Sequence, residues 1–239
     1  YNTTGVENVA VGRTALWINT TGSYNTALGR GALQVNTTAS NNTSVGAFSL
    51  FANTTGHSNA AVGVNALYTN TIGAENSAFG FETLYSNTTG ASNVASGRKA
   101  LRANTTGDNN VGIGNFSLYA NTTADNNTAV GFQALKANTT GANNTAIGAD
   151  ALKANTTGAA NVAVGKDAMK ANTTGTGNIA VGYLSLDANQ TTSCNTAVGE
   201  GALTANITNC NTAVGYYAGS ATTTGGRNVF VGLQAGQAN

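Results

Sequence analysis

The sequence predicts an all-β fold, a β-solenoid or parallel β-roll of fourteen coils. Two observations carry this prediction: a unit of seventeen residues repeats along the 239-residue chain, and apolar residues return at the same positions of each unit. A repeat built of a helix pair needs about thirty residues or more. Seventeen residues instead suit one coil of a solenoid, and any helix in the unit would be too short to nucleate well.

The general unit is N-T-T-G-x-x-N-x-A-V-G-x-x-A-L-x-A, and residues 138–154 follow it closely. We number its positions from the first Asn. N-x-A-V-G predicts a strand, A-L-x-A a second short segment, and N-T-T-G a polar turn. We interpret residues 1–239 as a single repeat array, a segment of a longer fibre protein. Its coils begin at Asn2, Asn19, Asn36, Asn53, Asn70, Asn87, Asn104, Asn121, Asn138, Asn155, Asn172, Asn189, Asn206 and Thr222.

Four positions of the unit are nearly constant. Position seven is Asn and position eleven is Gly in all fourteen units, and position ten is apolar in all but one, Ser96. Position fifteen is Leu, or once Met169, until Gly219 and Gly236 replace it. We expect the Val/Ile and Leu ladders to form a narrow dry core, which narrows where glycine replaces Leu. Stacked Asn amides are expected to hydrogen-bond along the array.

Composition excludes several classes of function. Charged residues are 8% of the chain and the net charge is +1, which gives no electrostatic footprint for nucleic acid or an acidic membrane surface. No apolar run approaches the ~18 residues of a membrane-spanning helix. The chain has a single His and no recurring carboxylate pair. We therefore predict no enzyme, no cofactor and no metal site.

The two cysteines, Cys194 and Cys210, are sixteen residues apart, and each precedes the Asn of position seven. The thirteenth unit is one residue short in its turn, so the two residues are expected at the same position of adjacent coils. Stacked coils would bring their Cα atoms to about 5 Å, which is within disulfide range. We predict a Cys194–Cys210 disulfide; the alternative is two free thiols on a turn.

Position sixteen varies most and forms a stripe that is aromatic in the first half of the chain and basic in the second. Its aromatic members are Trp17, Phe51, Tyr68, Tyr85 and Tyr119. They are interpreted as a stacked ladder or a buried interface; the alternative is a surface that binds a glycan or host molecule. In the basic half, Asp150 and Asp167 precede Lys153 and Lys170 by three residues, which predicts surface ion pairs.

The N-T-T turn also matches the N-glycosylation sequon. Turn chemistry explains the pattern because Asn and Gly tolerate left-handed φ and Thr hydroxyls bond nearby backbone. The alternative is glycosylation on exposed turns. The acceptors under that alternative would include Asn19, Asn53, Asn104, Asn138 and Asn172. Position eight is Thr in only some units, a broken array that makes ice binding a minor alternative.

The string N-T-A-V-G-x-x-A-L-x-A-N-T-T-G, as at residues 127–141, resembles the head repeats of trimeric autotransporter adhesins, the YadA-like β-roll. It is similarly close to repeats of phage tail fibres and bacterial surface fibres, although the unit here is longer than the usual adhesin coil. The resemblance implies a left-handed parallel β-roll, assembled as a homotrimer in an extracellular or cell-surface fibre or a virion tail fibre. The expected function is a rigid shaft or head segment whose partner is itself. The alternative is an adhesive module that binds a host or cell-surface glycan or protein.

Overall fold

The structure is a computed structural model that describes residues 2–237. These residues form fourteen three-residue strands, one in each repeat, and no helix. The chain divides into two compact units, one ending at Ala124 with β1 to β7 and one beginning at Asp125 with β8 to β14. The strands are β1 (Val9–Val11), β2 (Thr26–Leu28), β3 (Thr43–Val45), β4 (Ala60–Val62), β5 (Ser77–Phe79), β6 (Val94–Ser96), β7 (Val111–Ile113), β8 (Thr128–Val130), β9 (Thr145–Ile147), β10 (Val162–Val164), β11 (Ile179–Val181), β12 (Thr196–Val198), β13 (Thr212–Val214) and β14 (Val229–Val231).

Within each unit the strands pair in parallel and in chain order. Strands β9 and β10 place Thr145 opposite Val162, a separation of one full repeat. Between β12 and β13 the separation falls by one, with Thr196 opposite Thr212, as the short thirteenth repeat requires. Sequential parallel pairing of one strand per repeat confirms the predicted β-solenoid.

The remainder of each coil bends through residues with positive φ. In the ninth coil φ is 135° at Gly148, 59° at Asp150 and 49° at Leu152. The backbone of this segment is nevertheless bonded to both adjacent coils. The N–H of Gly148 donates to Val130 O at 2.8 Å, and that of Leu152 donates to Ala168 O at 3.0 Å. Inter-coil bonds beyond the strands thus satisfy the buried backbone and explain why three-residue strands suffice.

The core of a typical coil contains Leu at position fifteen and Ala at positions nine and fourteen. Leu152, Ala146 and Ala151 are all fully buried, which confirms the predicted Leu ladder. The expectation that Val and Ile of position ten join this core is wrong, because Ile147 is 42% exposed and Val214 40% exposed. Side chains alternate across a strand, so positions eight and ten face outward while Ala of position nine faces the Leu ladder.

Two asparagines in each of the second to thirteenth coils form buried ladders, as the sequence predicted. At position one, Asn155 Nδ2 donates to Asn138 Oδ1 of the preceding coil at 2.8 Å and to Gly158 O of its own turn at 2.9 Å. At position seven, the Oδ1 of Asn144 accepts the backbone N–H of Asn161 at 3.0 Å. These amides satisfy turn carbonyls and backbone N–H groups that lie away from water.

In the last described coil a large side chain at one core position accompanies the loss of a large side chain at another. Phe230 stands at position nine in place of Ala, and glycine stands at position fifteen in place of Leu. A Cβ built on Gly219 would lie 2.7 Å from Phe230 Cδ2, and the same ring occupies the side-chain space of Gly236. The expected narrowing of the core is therefore wrong, because the phenyl ring fills the volume that Leu fills elsewhere.

Candidate functional site

The compact unit that ends at Ala124 carries a stack of aromatic rings at repeat position sixteen. The rings of Phe51 and Tyr68 lie 5.2 Å apart at 6°, and those of Tyr68 and Tyr85 lie 5.2 Å apart at 4°. All three side chains are half-buried. The stacking ladder expected from the sequence is present. Because each ring covers the face of the next, ring edges rather than faces meet solvent along the stack.

Arg102 extends this stack by a cationic member. Its guanidinium carbon lies 5.1 Å from the ring centroid of Tyr85 and 6.0 Å from that of Tyr119. Such cation–π contacts stabilise by about 0.5–1 kcal/mol at exposed sites. Trp17, the remaining aromatic member of the stripe, is 48% exposed, and Gln34 occupies the coil between it and Phe51. The structure thus joins four of the five predicted aromatic residues through stacking and one arginine.

Glu82 forms an ion pair with Arg102, the cationic residue of the stack. Arg102 Nε donates to Glu82 Oε2 at 2.7 Å, and Lys99 Nζ lies 3.6 Å from the same oxygen. Burial raises the pKa of the Glu82 carboxyl, but the hydrogen bond from Arg102 and the charges of Arg102 and Lys99 together lower this pKa below 4.5. An acid whose pKa is lowered by folding stabilises the fold above its unfolded pKa, and this contribution is lost as pH falls through the folded pKa.

We therefore expect Glu82→Gln to lower the free energy of unfolding at pH 7 by about 1 kcal/mol. The difference from wild type should shrink as the pH falls from about 5 to about 3, because the wild-type carboxyl becomes neutral. Urea unfolding across this pH range measures it. Glu200→Gln, at an exposed position, is the control and should change little. A difference that stays constant with pH would contradict the proposed ion pair.

Two lysines in the basic half of the stripe are paired with acids. Lys153 Nζ lies 3.1 Å from Asp150 Oδ1, and Lys170 Nζ lies 3.0 Å from Asp167 Oδ1. The predicted ion pairs are confirmed. Lys153 and Lys170 therefore do not form an uncompensated cationic row for an anionic ligand.

The side chains of positions eight and ten point outward from the strands, and we call the surface that they form the outer strand face. At position eight Ile179 is 41% exposed; at position ten Ile147 is 42% and Val198 36% exposed. No repeat carries a charged residue at either position. Contiguous exposed apolar patches beyond a few hundred Å² usually mark interaction sites. This surface was missed because position ten was assigned to the core.

The five asparagines considered as glycosylation acceptors, Asn19, Asn53, Asn104, Asn138 and Asn172, are fully buried. Their Nδ2 atoms, which would carry the glycan, donate hydrogen bonds inside the coil; that of Asn53, for example, lies 2.8 Å from Gly56 O. The expectation that these turns expose Asn is wrong: the exposed member of the turn is the second Thr, such as Thr55. Glycans on these asparagines are incompatible with the fold, and the turn-chemistry interpretation accounts for the motif.

Cys194 and Cys210 are exposed, free thiols in this structure. They occupy the same position of adjacent coils, as expected, because Thr196 lies opposite Thr212. Their backbones are alike as well, with φ of 61° and 62°. The Cys194–Cys210 disulfide stays a prediction, with two free thiols as its alternative.

The described chain has no group of three or more His, Cys, Asp or Glu side chains arranged to hold a metal ion. Nor does it contain a helix with the length and hydropathy needed to cross a membrane.

Comparison with known proteins gives no relative: no protein-family model, no curated protein and no solved structure matches the chain. Strand order and repeat register nevertheless define the class, a β-solenoid repeat protein.

Proposed function

We propose that this chain is a structural segment of an extracellular or cell-surface fibre, in which copies associate through their outer strand faces. The observation that carries this proposal is the complete absence of charge at positions eight and ten over fourteen repeats. Surface positions of a soluble protein normally include charged residues. A face kept free of charge along the whole array is expected to lie against another surface.

A second copy of the chain is the partner that fits this face best. Coils stack at about 4.8 Å, so the rows of Val and Ile repeat at that spacing. A partner with the same repeat keeps its side chains in register with these rows over the full length of contact. Three copies, as the resemblance to trimeric adhesins implies, would shield the outer faces around a common axis. Closed cyclic symmetry of this kind is usual among homo-oligomers.

The role that we propose is mechanical rather than catalytic. The buried Asn ladders and inter-coil backbone bonds tie each coil to its neighbours through several separate contacts, as at Asn155 and Leu152. Local opening of such a coil requires breaking several of these bonds together, which disfavours attack by proteases. Resistance to extension and proteolysis suits a spacer in an exposed fibre.

The test is the oligomeric state of variants with a charge on the outer strand face. We expect the wild type to be a trimer by light scattering, and Ile147→Lys combined with Val181→Lys to be a folded monomer. Ala149→Lys is the matched control because Lys166 holds the same repeat position in the next coil; it should remain trimeric. A monomeric wild type at high protein concentration would overturn the proposal.

The adhesive alternative depends on the aromatic stack and receives less support. A sugar packs its C–H groups against the face of a ring, and the faces of Tyr68 are covered by Phe51 and Tyr85. Glycan arrays and cell-binding assays would test it with the wild type and the Tyr68→Ala/Tyr85→Ala variant. Loss of binding in the variant with an unchanged oligomeric state would favour adhesion over the structural role.

One observation favours ice binding as a second candidate function. The threonines of position eight, such as Thr145 and Thr212, lie on the outer strand face beside the apolar residues of position ten. Val162 and Ile179 interrupt this row, so the array is mixed. A thermal hysteresis assay on the wild type decides: hysteresis from a monomer, abolished by Ile147→Lys with Val181→Lys, would favour ice over self-association.

A further inference from the structure

The turn of each regular coil is bonded to the next coil at two repeat positions. Thr156 N–H donates to Thr173 O at 2.8 Å, which joins position two of adjacent coils. Asn172 Nδ2 donates to Asn155 Oδ1 at 2.8 Å, which joins position one. These bonds hold the N-T-T-G edge of the solenoid closed.

The edge is interrupted between the twelfth and thirteenth coils. Asn206 Nδ2 donates to Thr208 O of its own turn at 2.8 Å, and Asn189 Oδ1 accepts from Thr192 Oγ1 of its own turn. Among the hydrogen bonds of residues 2–237, none joins the turn at 189–192 to the turn at 206–208. The cause is the missing residue of the thirteenth repeat. Its shorter turn cannot follow the path of the turn in the twelfth repeat.

This interruption is a bounded opening in the edge. Bonding between the two coils resumes on both sides, from Ala188 N–H to Thr204 O at 3.0 Å and from Ser193 N–H to Asn209 Oδ1 at 2.7 Å. Between these two bonds lies a cleft of about 220 Å³. The cleft is lined by Ala188, Gln190, Thr191, Thr192 and Ile207.

The two cysteines lie next to this opening, on the side where bonding between the coils resumes, one on each coil. Both thiols are exposed, and their strands are in register through Thr196 and Thr212. Parallel neighbours at about 4.8 Å fall within the Cα separation that a disulfide spans. We propose that Cys194 and Cys210 form a redox-controlled clamp that closes the edge where the turn ladder is interrupted.

The oxidation requires a disulfide of low molecular weight, such as oxidised glutathione. The thiolate of one cysteine attacks a sulfur of that disulfide, forms a mixed disulfide and releases one small thiol. The second cysteine, as thiolate, attacks the protein sulfur of the mixed disulfide and releases the other small thiol. Each cysteine gives up one proton, so the dithiol is oxidised by two electrons and the small disulfide is reduced to two thiols.

Closing the clamp should slow opening of the turns at 189–192 and 206–208. Hydrogen exchange followed by mass spectrometry compares the protein equilibrated with reduced and with oxidised glutathione. We expect exchange of these turns to slow by about tenfold or more on oxidation, while the regular turn at 155–158 stays unchanged. Non-reducing peptide mapping should show a Cys194–Cys210 cross-link in the oxidised sample alone.

Two variants separate the clamp from a passive disulfide. Cys194→Ser should exchange rapidly under both conditions, with an unchanged circular dichroism spectrum. Insertion of Gly between Thr208 and Asn209 restores the repeat length and should give slow exchange under both conditions. The proposal is overturned if the thiols stay free in oxidised glutathione, if cross-linking leaves exchange unchanged, or if the insertion variant remains as redox-sensitive as the wild type.

Discussion

Gly148→Ala is expected to destabilise the second unit by about 3–6 kcal/mol, a large part of the stability of a typical domain. Gly148 has φ of 135°, a conformation that side chains disfavour. Its added Cβ would also lie 2.5 Å from Gly165 O and 2.6 Å from Gly165 C. Strand pairing fixes the distance to that coil, so the backbone cannot recede. Urea unfolding followed by circular dichroism should show a much lower midpoint.

Gly232→Ala is the matched control for the steric part of this effect. Gly232 occupies the same repeat position with φ of 125°, but a Cβ there would meet nothing within 4 Å. Only the conformational strain remains, which costs about 1–3 kcal/mol. Equal losses in the two variants would show that φ, rather than contact between successive coils, requires glycine at position eleven.

The period and the alternation of the sequence predicted the fold, but not which side of each strand is buried. Alternation along a strand places positions eight and ten on one face and positions seven and nine on the other. Because Ile147 is more hydrophobic than Ala146, the face of position ten was expected in the core. The coil interior has little room because Leu152 and two Asn ladders already fill it. Position nine therefore takes Ala, and Phe230 is accommodated where position fifteen is glycine. Which apolar residues fit inside a coil depends on side-chain volumes across it, which the pattern along one strand does not contain.

The functional surfaces were predictable to different degrees. The stack of Tyr68 and Tyr85 follows from like residues at one repeat position, because stacked coils bring them together. The burial of Asn53 did not follow from its N-T-T sequence, which is typical of an exposed turn. A signal was present at position one, since a surface turn would tolerate Asp or Ser and the first thirteen repeats keep Asn. An amide both donates and accepts at neutral pH, as each ladder requires, whereas an ionised carboxylate only accepts.

Asn144→Ala is the second large effect, expected to cost about 4 kcal/mol. The Asn144 side chain donates to Gly158 O at 2.8 Å and accepts the backbone N–H of Asn161 at 3.0 Å. Asn144 is fully buried, and both hydrogen bonds belong to the Asn ladder of position seven. Alanine leaves a carbonyl and an N–H without partners, and each such buried group costs about 1–3 kcal/mol. Urea unfolding at pH 7 measures the loss.

The neighbouring residue supplies the control, since Asn143 is exposed and Ala160 occupies its repeat position with a similar φ of 56°. Asn143→Ala should therefore cost no more than about 1 kcal/mol, the strain of an alanine at a left-handed φ of 61°. Asn144→Asp tests the donor separately. An ionised carboxylate still accepts from Asn161 N–H but cannot donate to Gly158 O, whereas the protonated acid can do both. Burial disfavours the charged form, so this variant should lose stability as pH rises through the folded pKa of the new carboxyl. If Asn144→Asp matched the wild type at pH 7, the donated bond to the turn carbonyl would contribute little, and the backbone ladders alone would hold successive coils together.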